Sequence, residues 1–132
     1  MKYVLLMQFP LADWRTSRIE LWPPQDVKRH LAFLKRFRDD LTASGELVST
    51  EGLVGPEEAR IVVARKDGSP AVTDGPFPES KEFLAGYCVI DVESRERAFE
   101  IAARLSSGPG PGAAPLNIPI EVRAVHFMQG DV

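Results

Sequence analysis

At 132 residues, 44% hydrophobic and 27% charged, the chain has the makeup of one soluble globular domain, 1–132, with a core of its own. Its formal net charge of −3 argues against nucleic acid or an anionic membrane as partner, because both need clustered Lys and Arg. The single cysteine, Cys88, forbids an internal disulfide, and no run approaches ~20 apolar residues, so the expected compartment is the cytoplasm.

Lys2–Phe9 is almost continuously apolar and stops at Pro10, which predicts a central strand buried on both faces. Leu11–Pro24 carries Trp14, Trp22 and a Pro-Pro pair without periodicity, the composition of a connection that caps a site or an interface. Gln25–Ser44 is the clearest helix. Val27, His30, Leu31, Leu34, Phe37 and Leu41 recur at steps of three and four, Asp26 suits the positive N-terminal end, and Gly45 follows as the stop. Glu46–Leu53 reads as a strand, broken by Gly55-Pro56. Arg60–Arg65 and Pro70–Thr73 flank the turn signal "KDGS" and form an antiparallel hairpin.

Phe83–Asp91 is a further strand in which Gly86 permits close backbone approach. Ser94 is a suitable N-cap for a second helix with Ala98, Ile101, Ala102 and Leu105 as its apolar stripe. Ser106–Asn117, "SSGPGPGAAPLN", is flexible by composition, and Ile118–Phe127 closes the chain as a strand. The Gly-rich stretch lacks the Lys-Ser or Lys-Thr of a phosphate loop. Two helices of this length cover one face of an antiparallel sheet, so the order gives an α+β, ferredoxin-like βαββαβ plan with an added hairpin. The other face then needs a cover, and a second copy of the chain is the simplest one.

"MKYVLL" at the start, "EGL" at Glu51–Leu53, "VTDGPFPESKEFLAGYCVIDV" at Val72–Val92 and "IEVRAV" at Ile120–Val125 resemble the DGPF branch of the YCII-related family. The resemblance implies a dimeric α/β barrel of ferredoxin-like protomers with a cleft between sheet and partner. Members of that family are mostly uncharacterised bacterial proteins, some encoded beside or fused to alternative sigma factors. Relatives in the wider superfamily include lyases and oxygenases of small aromatic compounds. Fold transfers with such a resemblance more securely than activity does.

The candidate site residues follow from these two lines. Asp74 in Asp-Gly-Pro is good turn chemistry; alternatively it takes a proton or orients a histidine, with Phe77 as an apolar wall. His30 lies on the apolar stripe of the first helix. As a core residue it needs only a hydrogen-bond partner; as an acid–base group it exploits an ordinary imidazole pKa of about 6.5. In the wider family a histidine of this helix, paired with an aspartate, is the proposed dyad. His30 matches that position while the residues around it do not, and Asp74 is the partner assigned here.

On the last strand Ile118, Ile120, Val122 and Ala124 share one side and Glu121 and Arg123 the other. If the apolar set packs on the helices, the charged pair faces the dimer cleft, where Arg123 suits an anionic ligand. His30, His126 and Cys88 show no metal-ligand spacing, so no metal and no cofactor are expected. The sequence thus leads to a homodimer binding a small aromatic or anionic organic molecule in the cleft between protomers, with cofactor-free lyase or isomerase chemistry at His30. The competing expectation is a non-catalytic ligand sensor or interaction module serving a sigma factor.

Overall fold

The computed structural model describes residues 1–77 and 79–126. Strand β1 (Lys2–Pro10) leads through 3-10 turns at Leu11–Asp13 and Ile19–Leu21, with the four-residue helix α1 (Trp14–Ser17) between them, into helix α2 (Pro24–Ala43). Then come β2 (Leu47–Gly52), the hairpin β3 (Arg60–Ala64) and β4 (Pro70–Asp74), β5 (Glu82–Asp91), helix α3 (Arg95–Ser106) and β6 (Ile120–Ala124). The expected strand at Ile118–Phe127 begins two residues later than anticipated, and its end at Phe127 lies outside the described residues.

One antiparallel sheet has the order β2-β5-β1-β6, while β3 and β4 pair only with each other. This is the ferredoxin-like arrangement with the hairpin set apart as its own small sheet. The four-stranded sheet is open in the protomer, so the resemblance's barrel is not closed within one chain.

Strand β1 is central, yet it is buried on one face rather than two. Tyr3 and Leu5 join Cys88 and Ile90 of β5 under the helices, whereas Val4, Leu6, Tyr87 and Val89 on the opposite face stay half-buried. A continuous apolar run cannot distinguish a strand buried twice from one whose second apolar face is left uncovered. Phe37 and Leu41 of α2 and Ala98, Ile101, Ala102 and Leu105 of α3 complete the core. Ile120 and Val122 pack against it from β6, which puts Glu121 and Arg123 on the uncovered face.

The helix ends obey local chemistry. Gly45, at φ +78°, donates its N–H to the Thr42 carbonyl, and Glu46 donates to that of Leu41, a Schellman stop that only a residue tolerant of positive φ makes cheaply. Ser94 Oγ accepts the Arg97 N–H at 3.1 Å and caps α3. Just past that stop, Glu46 receives Arg97 through two bonds of 2.8 Å, joining the end of α2 to the start of α3. The guanidinium holds the Glu46 carboxyl down at about 2, and Arg97 is raised in return.

A β-bulge between Met7 and Gln8 matters for function. Gln8 pairs with Leu84 and Met7 with Gly86, leaving Ala85 as the extra residue. The bulge returns Phe83 to the helix side opposite Phe9, so both rings reach the same end of the sheet. Gly86 is required there: a Cβ would meet Glu51 O and Met7 Cε at 2.7 Å.

Candidate functional site

At that end of the sheet an open cavity of about 400 Å³ lies between α2 and strands β1, β2 and β5. Met7 and Phe9 form its sheet wall, His30, Leu34 and Phe37 its helix wall, and the 11–22 segment brings Trp14, Arg18, Ile19 and Trp22 over it. That segment keeps its shape through its indoles. Trp14 packs edge-on to Phe83 (5.2 Å between centroids) and Phe9 (6.2 Å), while its Nε1 donates to Glu57 Oε2 at 2.8 Å. Trp22 Nε1 donates to the Ser17 carbonyl at 2.9 Å, closing a turn that the non-periodic sequence could not reveal.

His30 stands half-buried in the helix wall, with the Trp22 ring edge-on at 5.5 Å. Its Nδ1 lies 3.1 Å from the carbonyl oxygen of Pro109. A carbonyl only accepts, so Nδ1 carries the proton and the neutral ring keeps its lone pair on Nε2. The segment that supplies this carbonyl is the Gly-Pro stretch expected to be flexible. It is tied down instead: Gly112 N–H donates to Asp26 Oδ1 at 3.3 Å, Gly110 to Ala114 O at 2.7 Å and Leu116 to Gly108 O at 2.9 Å. Asp26, buried at the first turn of α2, also holds Arg29 at 2.7 Å. Composition was misleading here because two backbone hydrogen bonds and one buried carboxylate restrict the loop that glycine would loosen.

Arg18 is the second polar feature. Its guanidinium lies 5.9 Å from the Trp14 ring centroid, and its Nε is buried with no hydrogen-bond acceptor among the described residues. Glu20, Arg38 and Glu51 also border the cavity, where Leu31, 53% exposed, marks part of its open side.

The residues chosen from sequence do not assemble around His30 in the protomer. Asp74 ends β4 with its side chain 96% exposed and has Arg60 as ion-pair partner at 3.6 Å. Within the protomer His30 Nδ1 meets the Pro109 carbonyl, while Asp74 stands with Arg60. The reason is topological: the hairpin pairs with itself, and its last residue goes with the hairpin. Phe77 is 55% exposed and belongs to the same excursion, outside the cavity wall. Glu121 and Arg123 lie 3.5 Å apart as an ion pair on the uncovered sheet face, not in the cavity.

Trp14 and Trp22, in the connection expected to cap a site or an interface, line the cavity, while Tyr3 is core. Sequence reasoning missed Arg18 and Pro109, and it saw in Asp26 a helix-end charge but not the tie to Gly112. Only the position of Arg18 between two tryptophans could have drawn attention to it. Among the described residues no three or more His, Cys, Asp or Glu side chains gather as metal ligands, and no helix is long and apolar enough to cross a membrane.

Two comparisons with known proteins agree. The YCII-related domain pattern matches residues 1–110, which takes in β1 through α3 and the Pro109 carbonyl beside His30. An uncharacterised protein of Rhizobium meliloti (strain 1021) is 31% identical over 93 residues, covering 70% of this chain and 74% of its own length. The chain belongs to the YCII-related family.

Proposed function

We propose that the protein is a homodimer that binds a small organic molecule in the cavity of each protomer and uses His30 for cofactor-free proton transfer, in a lyase or isomerase step. One observation carries the reading: an imidazole of fixed tautomer sits in the wall of an apolar, aromatic-lined cavity that the rest of the core leaves unfilled. With Nδ1 engaged by Pro109, Nε2 is the nitrogen left to take a proton from a bound carbon acid and return it to another position. Dimerisation rests on the sheet face of Val4, Leu6, Tyr87 and Val89, which none of the described elements covers, and on the bare valines Val62, Val63 and Val72 of the hairpin.

A second reading, a ligand sensor or interaction module in a sigma-factor setting, is favoured by the nature of the group behind His30. It is a neutral carbonyl, not a carboxylate that would stabilise an imidazolium. Both tryptophans of the chain line the cavity, so their emission reports occupancy directly. A titration with a small-aromatic library, run alongside a turnover assay on every binder, separates the readings. Binding with turnover that His30→Ala abolishes supports the enzyme; binding without turnover supports the sensor; absence of any binder removes the enzyme and the ligand sensor and leaves the interaction module.

A further inference from the structure

From the buried, acceptor-less Nε of Arg18 at an aromatic cavity, we infer that the ligand is a compact aryl carboxylate, its carboxylate on Arg18 and its ring among the tryptophans. The inference rests on the reading that the cavity is the ligand site, and it adds the chemical class of the occupant. A guanidinium stays charged at every accessible pH, so burying one of its N–H groups without an acceptor is costly unless a partner arrives. No acceptor comes from the described residues: Glu57 is engaged by Trp14, and Glu20 and Glu51 border the cavity without bonding Arg18 Nε.

The planar fork of arginine matches a carboxylate, whose two oxygens it can take side by side. A phosphoryl group fits less well. Its extra charge and oxygens would need more positive charge than the wall supplies, where Arg18 and Arg38 are matched by the carboxylates of Glu20 and Glu51. The ligand body follows from the remaining wall, where Phe9, Trp14, Trp22 and Phe37 provide ring faces and edges for an aromatic group. Arg123, the anion clamp expected from sequence, is less suited because Glu121 already neutralises it on an exposed strand.

Calorimetric titration of the full chain with indole-3-carboxylate and its neutral isostere indole-3-carboxamide tests this class. The acid is expected to bind on the order of tenfold or more tighter than the amide. Arg18→Met, which keeps the stem and removes the fork, should erase that preference while changing amide affinity less than about threefold. Arg18→Lys, a milder change should the methionine variant fold poorly, should lose most of it as well. Equal affinity for acid and amide in the wild type overturns the inference and leaves the cavity reading intact, as does a preference that survives both substitutions. Failure of acid, amide and unsubstituted indole alike to bind overturns the cavity reading and the inference with it.

Discussion

His30 Nδ1 and the Pro109 carbonyl oxygen, 79 residues apart in the chain, meet at 3.1 Å and lock one tautomer of the ring at the cavity wall. Nitrogen-15 spectra of the neutral ring should therefore show a protonated Nδ1 and an unprotonated Nε2. A majority of the opposite tautomer would mean that the carbonyl does not set the ring, and Nε2 would lose its role as base.

The Glu46–Arg97 pair makes a pH prediction whose sign follows from the lowered carboxyl. Because folding brings Glu46 from about 4.5 down to about 2, its ionised form contributes stability above pH ~4.5 that is lost as pH falls toward 2. Glu46→Gln should cost about 1 kcal/mol at pH 7, a figure kept small because the Arg97 side chain is 36% exposed. Urea melts of both proteins should converge as pH falls from 4.5 to 2. A gap unchanged across that window would show that the ion pair is not its source.

Cys88 is fully buried in β5, and burial pushes its thiol up to about 11. Alkylation by iodoacetamide at pH 8 should be negligible in the native protein and complete in urea. Rapid modification of the folded protein would mean that the core opens around β5, the strand that pairs with both β1 and β2.

The uncovered sheet face predicts the assembly. Sedimentation should find a dimer, and Val89→Lys should weaken it by on the order of 100-fold or more, since a two-fold axis buries the new charge twice. Circular dichroism should stay unchanged, because Val89 points away from the core that Cys88 and Ile90 join. A wild-type monomer at micromolar concentration, or a Val89→Lys dimer as tight as the parent, would remove this face as the interface.

How much of this was legible in the sequence depends on the range of the physics involved. Helix α2, its Gly45 stop, the Ser94 cap and the apolar stripe of α3 are local, and spacing or residue type announces each of them. The α+β, ferredoxin-like plan followed from element order, and the observed β2-β5-β1-β6 order fits it. The site was less readable because its partners are distant in the chain. Nothing local to His30 points to Pro109, and nothing local to Arg18 says that its Nε will be buried. The DGPF stretch attracted attention through its distinctive residues, yet the hairpin carries Asp74 away to Arg60. A motif states which residues belong together in a lineage, whereas a cavity gathers side chains that the packing of α2 and the 11–22 segment on the sheet brings to one end.

The most direct test of the cavity as ligand site is an amide and indole N–H shift map of the protein titrated with unsubstituted indole and with indole-3-carboxylate. The largest shifts should fall on the Trp14 and Trp22 side chains and on His30 and Leu34. Shifts centred on Glu121, Arg123 and the uncovered strands, with the two tryptophans unmoved, would contradict it.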